Sequence, residues 1–419
     1  MQMQEPQRKG KVFYGWWIVV GCCFLQAFGL GNMMNAAGIF YMPVCEDLGI
    51  GLGPLALYLT VYFFVTTFSY PLVAKILPTK NVNVVLSVAF LALCVGQALM
   101  GTYTEVWQWY ISGAIYGFAG AFIFVVPATT LVQNWFHKRR GLALGITQCM
   151  SGIGGAVFPV VGTALIGAVG WRSTYVIFAV VSALVVLPFT AKVFKFKPAD
   201  MGLLPYGYDE SVGSGDIDHV YPGVPSKKML GTLAFWCIFL YGGVEALMSG
   251  YNTCIPGYAV SIGLGDMFGS YLLSLAQLGY VFATIFIGWL VDRIGAKIPT
   301  YLTLVITGLA LIGFGVFRTE APLVVTAFLF GMNSVIITIS VPTIISDLFG
   351  KKDYAQKLSY MRMSGCFAAF ASSAIGFVYD ATGRFDISFF AGVGIIVVCL
   401  VLVTIAYTQK KKMLALWED

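Results

Sequence analysis

Charge is scarce in this chain. Only 11% of its 419 residues are Asp, Glu, Lys or Arg, while 58% are hydrophobic and the mean hydropathy is +0.83; soluble domains carry about 25% charged residues. Many uncharged stretches exceed the roughly 18–25 residues that span a bilayer. This composition excludes soluble enzymes, secreted disulfide scaffolds, disordered chains and nucleic-acid-binding modules. It predicts a polytopic protein whose main partner is the lipid bilayer.

Groups that perform chemistry or bind metals are also few. The chain has two histidines, His137 and His219, and its nine cysteines lie mostly inside apolar segments without metal-ligand spacing. Such cysteines usually pack as small hydrophobic side chains. The sequence contains no catalytic triad and no glycine-rich phosphate loop followed by Lys and Ser or Thr. We therefore expect no enzyme activity, cofactor, metal or direct ATP hydrolysis, and a protein driven by gradients.

Twelve apolar segments predict twelve membrane-spanning helices, because backbone amides in lipid must form hydrogen bonds within their own segment. With the N-terminus in the cytoplasm, about 21 of the 25 Lys and Arg residues fall on the cytoplasmic side. Only Arg172, Arg318 and Arg384 fall outside, a bias of about seven to one. This pattern predicts a cell-membrane protein with both termini cytoplasmic, and the short loops favour a prokaryotic inner membrane.

One long polar stretch, Lys195–Leu230, divides the helices into six and six. It is rich in proline, glycine and charge, a composition typical of a linker with little regular structure. The sequence therefore predicts an all-α integral membrane fold with three parts. These are an N-terminal six-helix bundle at residues 1–194, a cytoplasmic linker at 195–231 and a C-terminal six-helix bundle at 232–419.

The two halves resemble each other at an offset of about 213–215 residues. Val126-Pro127 corresponds to Val341-Pro342, and a basic turn and a helix rich in small residues follow each pair. Gly170-Trp171-Arg172 then corresponds to Gly383-Arg384. Two bundles in the same orientation, related by an axis along the membrane normal, are typical of a transporter with its site between the halves.

The stretch Gly288-Trp-Leu-Val-Asp292-Arg293-Ile-Gly295-Ala-Lys297 resembles the G-x-L-x-D-R-x-G-x-R/K motif of the major facilitator superfamily, and the resemblance covers essentially the whole chain. It implies two six-helix bundles that rock to open a site to alternate sides. It also implies a cytoplasmic gate at Asp292 and Arg293, to which we add Arg139 and Arg140 of the first basic turn. The first-half counterpart of the motif, Ala74–Asn81, lacks the Asp.

Within the superfamily, three stretches are similar to the oxalate:formate antiporters and monocarboxylate transporters: Asn134–Ala143, Tyr14-Gly15-Trp16 and Pro43–Gly49. The cations with which the antiporters clamp substrate are not reproduced. Thr284 stands roughly where that group carries Arg on the eighth helix, and Gly365 stands near its eleventh-helix Lys. The eighth-helix Asp/Arg pattern of the monocarboxylate group is also missing. The identity of the substrate is therefore not carried over.

Two charged residues, Glu245 and Arg362, lie well inside predicted spans, where a charge costs about 2.5–3.5 kcal/mol on insertion scales. Three interpretations remain open. Arg362 binds an anionic substrate while Glu245 exchanges a proton, because desolvation disfavours the charged form of a carboxyl group. Alternatively, the two residues form an ion pair between the seventh and eleventh helices, or they face separate polar pockets.

Other polar residues lie within the predicted spans and are candidates for substrate binding: Asn35, Gln148, Gln277, Tyr280 and Asn333. Gln277, Tyr280 and Thr284 follow one stripe of the eighth helix, and Asn35 lies where the resembled antiporters place a substrate-facing aromatic side chain. Such residues also join helices through hydrogen bonds worth about 0.6 kcal/mol on average. Both roles stay open for each residue.

The leading prediction is a monomeric secondary transporter of a small organic anion, working as a proton symporter or an anion exchanger. The alternative is an uncharged or hydrophobic substrate, drug-like or sterol-like, because the cavity would be largely aromatic and apolar; Arg362 would then belong to the ion pair with Glu245. A non-transporting receptor or sensor on the same scaffold is a second alternative, although the sequence contains no long folded signalling domain. A membrane enzyme would need clustered catalytic groups near one interface, and the sequence has none.

Overall fold

A computed structural model describes residues 13–124, 126–136, 138–207, 223–350, 352 and 354–417. The chain divides into two units, each with its own dense set of internal contacts. The first unit comprises Met1–Ile50 and Leu57–Gly213, and the second comprises Gly51–Ala56 and Ser214–Asp419.

Before the linker, the first span departs from the regular α pattern. A π-helical segment at Leu25–Asn35 and a 3-10 turn at Ala37–Phe40 separate α1 from α2. The α-helices are α1 (Gly15–Phe24), α2 (Tyr41–Leu48), α3 (Leu52–Ile76), α4 (Val82–Met100), α5 (Val106–Ala121), α6 (Val126–Trp135) and α7 (Arg140–Lys192).

The helices after the linker contain further interruptions. A 3-10 turn at Gly331–Ser334 and a π-helical segment at Ile336–Ser340 separate α13 from α14, and a 3-10 segment at Met363–Phe370 follows α15. The α-helices are α8 (Ser226–Met229), α9 (Leu233–Ala246), α10 (Ser249–Ser261), α11 (Asp266–Ile294), α12 (Lys297–Val316), α13 (Glu320–Phe330), α14 (Val341–Phe349), α15 (Tyr354–Arg362), α16 (Ala371–Thr382), α17 (Asp386–Thr408) and α18 (Lys410–Leu414).

Within the described residues, ten helical stretches are long and apolar enough to cross a membrane. Two details account for the difference from the twelve predicted spans. The stretch Gly141–Lys192 is 52 residues long and contains the non-helical Gly170, with φ 81° and ψ 162°, between the predicted fifth and sixth spans. The predicted fourth span, Val106–Gln133, is divided between the shorter helices α5 and α6.

Large apolar side chains cover the outside of these helices. Phe68 is 79% exposed, Leu184 is 71% exposed and Ile285 is 66% exposed. Extended exposed apolar surface indicates contact with a membrane or another apolar partner. Together with the helical spans, this surface confirms the predicted all-α membrane fold.

Glycines allow pairs of helices to touch through their backbones in both units. A Cβ on Gly113 of α5 would lie 2.4 Å from the carbonyl oxygen of Tyr58 on α3. A Cβ on Gly331 would lie 1.8 Å from the carbonyl oxygen of Ala276 on α11. Small residues permit such close approach in membrane bundles. Gly113 and Gly331 therefore serve as packing residues.

We expect the substitution Gly331→Ala to lower the melting temperature of the purified protein by several degrees. The added methyl would overlap the Ala276 carbonyl group, and overpacking of this kind typically costs about 1–3 kcal/mol. Gly394→Ala in α17 is the matched control, because no atom lies within 4 Å of a Cβ there. Equal melting temperatures for the two variants would contradict the close α11 crossing.

The described parts of the predicted linker bond to helix ends within each unit. In the first unit, the Tyr206 amide donates to the Trp135 carbonyl oxygen at 2.8 Å, and the Lys138 amide donates to the Tyr206 carbonyl oxygen at 3.0 Å. In the second unit, the Val224 amide donates to the Phe349 carbonyl oxygen at 2.9 Å. The segment after α6 and the end of α14 thus each form backbone hydrogen bonds with part of the linker.

Candidate functional site

Glu245 and Arg362, the two charged residues predicted inside spans, lie in different environments of the second unit. Glu245 on α9 is 1% exposed, and its Oε2 has no hydrogen-bond partner. Arg362 is the last residue of α15, and its side chain is exposed. Neither residue forms an ion pair with any other described residue. The structure therefore does not contain the Glu245–Arg362 ion pair that was one of the three interpretations.

Glu245 lies with several phenol and thiol groups where α9 packs against α17. Tyr241, one turn earlier, is fully buried, and both residues are close enough to Cys399 for electrostatic interaction. Tyr407 of α17 is likewise within electrostatic range of Tyr241. The Tyr241 hydroxyl and Glu245 Oε2 are both buried without hydrogen-bond partners. Because buried polar atoms are normally hydrogen-bonded, this group of orphaned atoms is unusual.

Tyr241, Glu245, Ser249 and Asn252 fall at i, i+4, i+8 and i+11, a spacing that predicts a polar stripe on the seventh helix, but the helix is interrupted. The regular α pattern ends at Ala246 and resumes at Ser249. Between them the Met248 amide donates to the Glu245 carbonyl oxygen at 2.7 Å, an i to i−3 bond of a tighter turn. The tighter turn changes the angle between residues, so Ser249 and Asn252 do not continue one α-helical face from Tyr241 and Glu245.

Arg362 lies three residues before Gly365, a position that borders open space. It lies at the junction of α15 with the 3-10 segment Met363–Phe370. No atom lies within 4 Å of a Cβ built on Gly365, three residues later and thus one 3-10 turn away. Gly365, Ala369 and Ser373 are small and nearly share one helix face in the sequence, a pattern that predicts close approach of a neighbouring backbone. Ala369 and Ser373 are buried, whereas Gly365 borders unoccupied space.

Three candidate residues of the second unit come together where α11 crosses the turn Gly331–Ser334. Gln277 and Tyr280 belong to α11, and Asn333 belongs to the turn. Gly331 brings the two backbones close, because its Cβ would lie 2.9 Å from the Tyr280 amide nitrogen. Asn333 is 2% exposed and its Nδ2 has no partner. Thr284 donates to the Tyr280 carbonyl oxygen on its own helix at 2.8 Å.

Two candidate residues of the first unit are linked through α7. Asn35, the last residue of the π-helical segment, donates from Nδ2 to the Ser151 carbonyl oxygen at 3.2 Å. The Ser151 hydroxyl donates to the Gln148 carbonyl oxygen at 2.8 Å, and Gln148 itself is half-buried. Asn32, on the same π-helical segment, is buried and donates a hydrogen bond from Nδ2 to Ser182 Oγ at 3.0 Å. Asn32 therefore joins helices.

The residues assigned to the gate are exposed where the structure describes them. Asp292 forms no ion pair with any other described residue, and the Arg293 guanidinium lies 4.4 Å from the ring centre of Trp289, one turn earlier. Arg139 is exposed and has a left-handed backbone, with φ 60°. The backbone of Arg140 begins α7, but its side chain lies outside the described part of the structure. His137 also lies outside it.

A family model described as "Major Facilitator Superfamily" matches residues 19–269 and 234–415, which together cover most of the chain. The chain belongs to the major facilitator superfamily. Its similarity to relatives extends over most of its length. It is 28% identical to MFS-type transporter hasB of Aspergillus fumigatus, covering 76% of this chain and 71% of that protein. It is 23% identical to Monocarboxylate transporter 12-B of Danio rerio, covering 98% and 92%.

Solved structures of superfamily transporters share this fold. A bacterial homologue of the human lysosomal transporter Spinster, inward-facing and occupied, matches with a TM-score of 0.70 and 12% identity, over 98% of this chain and 100% of the other. Nucleoside transporter NupG matches with a TM-score of 0.66 and 13% identity, over 97% and 99%. The predicted resemblance to the superfamily and its monocarboxylate-transporter branch is confirmed, and this superfamily member is a multi-pass membrane transporter.

Sequence reasoning missed two features of this superfamily member. The first is the departure from α-helix beside Asn35, Asn333 and Arg362; π and 3-10 interruptions are frequent at functional sites, but no residue pattern marked them. The second is Lys357, fully buried on α15, whose ammonium donates to the carbonyl oxygens of Phe349 and Gly350 at 2.7 and 3.3 Å. This lysine closes the C-terminus of α14, a favourable place for a cation.

Proposed function

We propose that this transporter moves a small organic anion, a carboxylate, across the membrane by alternating access. The observation that carries the proposal is Arg362, an exposed guanidinium inside a membrane-spanning stretch with no acidic partner among the described residues. Charged groups in spans are costly and mark substrate or ion pathways. The similarity to proteins named monocarboxylate transporters supports the same substrate class.

Arg362 has the chemistry and the space to bind a carboxylate. A guanidinium can donate two parallel hydrogen bonds to the two carboxylate oxygens, which fixes orientation as well as charge. The open space beside Gly365 can accept the anion one turn from the guanidinium. We assign Arg362 as the substrate anchor on these grounds.

The remaining polar candidates would recognise the uncharged part of the substrate. In the second unit, Gln277, Tyr280 and the unpaired Nδ2 of Asn333 supply donors and acceptors at one helix crossing. In the first unit, Asn35 and Gln148 lie on adjoining turns linked through Ser151. Each cluster sits beside or within an interrupted helix, as in transporters that bind ligands at broken helices.

We propose Glu245 as the proton-coupling residue. Its carboxyl group is buried one turn from the unpaired Tyr241 hydroxyl and forms no ion pair with a described residue, so we expect a bound proton to neutralise it. Proton symport follows if the proton moves with the anion. Anion exchange follows if Glu245 stays protonated throughout the cycle.

The distribution of charge supports the proposed orientation of the protein in the membrane and the proposed side of the gate. The Lys and Arg bias supports a cell-membrane protein with both termini and the gate residues Asp292, Arg293, Arg139 and Arg140 on the cytoplasmic side, and we propose that it acts as a monomer. The relatives reported above come from a fungus and an animal and give no support to the expected prokaryotic inner membrane. In the alternative of an uncharged substrate, Arg362 would belong to an ion pair with Glu245, and the described residues contain no such pair.

A thermal-shift screen of the purified full-length protein tests this function. We expect monocarboxylates, dicarboxylates or hydrophobic acids to raise the melting temperature, because a ligand at a hundred times its Kd adds about 2.7 kcal/mol to the stability of the folded state. The screen uses two pH values and matched amides as uncharged controls. The shift should disappear in Arg362→Ala. A shift produced only by the uncharged compounds, or one of equal size in Arg362→Ala, would contradict anion binding at this site.

A further inference from the structure

A polar cavity of about 370 Å³ lies in the first unit, away from the candidate substrate residues. One wall is the turn Pro78–Val82 between α3 and α4, and the other is formed by the residues that follow α7, Phe194–Lys197 with Asp200. Both walls lie at ends of membrane-spanning stretches, Leu52–Val73, Val82–Met100 and Gly141–Lys192. The cavity therefore lies at the level where the hydrocarbon gives way to lipid headgroups.

Positive charge predominates in this cavity. Its lining includes Lys80, Lys195 and Lys197, against the single carboxylate of Asp200. Asp200 accepts a hydrogen bond from the Lys197 backbone amide at 3.0 Å, and the Lys197 ammonium lies 5.9 Å from the Phe196 ring centre. None of the three lysines forms an ion pair with a described residue. Their positive charge is therefore not balanced by an ion pair within the described residues.

The internal repeat supplies a comparison within the same chain. The second unit has a cavity of about 600 Å³ in the corresponding place, lined by the turn between α11 and α12, by Asp347, and by Lys410, Leu414 and Trp417 after α17. The offset of 215 residues that relates Val126 to Val341 also relates Lys195 to Lys410. Lys410 is paired with Asp347, so this lysine is neutralised by the chain itself.

The first unit lacks that internal acid. The basic turn of the first half begins at Asn134 and its second-half counterpart begins at Asp347. Asn134 is uncharged, and its Nδ2 donates to the Phe196 carbonyl oxygen in the cavity wall at 3.0 Å. An ammonium group that is neutralised by a carboxylate in one half therefore has no such partner in the other. The missing negative charge is the feature that a bound anion would restore.

We propose that the cavity lined by Lys80, Lys195 and Lys197 binds a phosphate group. Lysine ammonium groups act as compact point charges toward phosphate, and basic pockets at the end of membrane helices accept anionic lipid headgroups. The phosphate can come from an anionic phospholipid or from a soluble phosphate monoester. The site is separate from the proposed carboxylate site and does not depend on it.

Native mass spectrometry of the full-length protein tests the site by titration with phosphatidylglycerol, phosphatidylcholine and, separately, glycerol 3-phosphate. In the double variant Lys80→Gln/Lys195→Gln, anion affinity should fall by about fivefold for each charge removed. The variant Asn81→Asp should also lower the anion affinity. Asn81 caps α4 by accepting the Asn83 amide at 3.0 Å, and Asp retains that cap while it adds a negative charge to the cavity.

The matched control is Lys411→Gln/Lys412→Gln, which removes two exposed charges outside both cavities and should leave the affinity unchanged. Selective loss of phosphatidylglycerol binding supports a lipid headgroup. The same variant pattern with glycerol 3-phosphate alone supports a soluble phosphate. The proposal would be overturned if Asn81→Asp and Lys80→Gln/Lys195→Gln left the anion affinity unchanged. It would also be overturned if the control lowered the affinity as much as Lys80→Gln/Lys195→Gln does.

Discussion

Replacing Arg362 by lysine is expected to reduce kcat/KM for carboxylate uptake about ten- to a hundredfold, although the charge is kept. A hydrogen bond to a charged group contributes about 1.5–3 kcal/mol, and a lysine cannot reproduce the paired donors of a guanidinium. Arg362→Ala should leave only background uptake. The measurement is initial uptake of a labelled carboxylate into proteoliposomes over a range of substrate concentrations.

The control for this experiment is Arg384→Lys. Arg384 is 67% exposed at its side chain and is paired with Asp386 at the start of α17, so the exchange of one cation for another should leave uptake near the wild-type value. Thermal melting without substrate should also be similar for Arg362→Lys and the wild type. Wild-type kcat and KM in Arg362→Lys would show that Arg362 does not anchor the substrate.

Replacing Glu245 by glutamine is expected to remove the pH dependence of net uptake and to preserve exchange of labelled for unlabelled substrate. Glutamine has nearly the same shape but cannot take up or release a proton, and the buried site contains no other carboxyl group among the described residues. Net uptake measured across a series of external pH values should become flat. Exchange at equal pH on both sides should stay close to the wild-type rate.

Tyr241→Phe is the matched control for Glu245→Gln. It removes a buried, unpaired hydroxyl one turn away but retains the carboxyl group, so the pH dependence should persist. If Glu245→Gln keeps the wild-type pH profile, Glu245 is not the coupling residue. If exchange is lost together with net uptake, the role of Glu245 is in packing or substrate binding instead.

The helical fold could be predicted from composition because lipid leaves the backbone few alternatives. Amides that cannot bond water must bond within a helix, so apolar length alone placed most spans. Some breaks between helices could also be predicted from glycines. Gly170 and Gly383, equivalent positions of the repeat, have φ of 81° and 68°; Gly170 interrupts α7 and Gly383 follows the end of α16.

The candidate site was only partly accessible from the sequence. The cost of charge in a span identified Glu245 and Arg362, but the side of the helix each faces depends on packing, and the predicted stripe from Tyr241 to Asn252 failed because the helix tightens after Glu245. The closeness of Gln277 and Asn333 depends on the crossing at Gly331. Residues 50 or more positions apart meet there, and no periodic pattern within one helix reports such a meeting.

The interrupted helices should also bend more easily than the regular ones. A π or 3-10 segment already departs from i to i−4 bonding, so its amides can change acceptors while few bonds are lost. By contrast, α12 and α17 are regular for 20 and 23 residues and behave as stiff rods. Bending should concentrate beside Asn35, Asn333 and Arg362, the residues proposed to bind substrate, so we expect substrate binding and helix bending to be coupled.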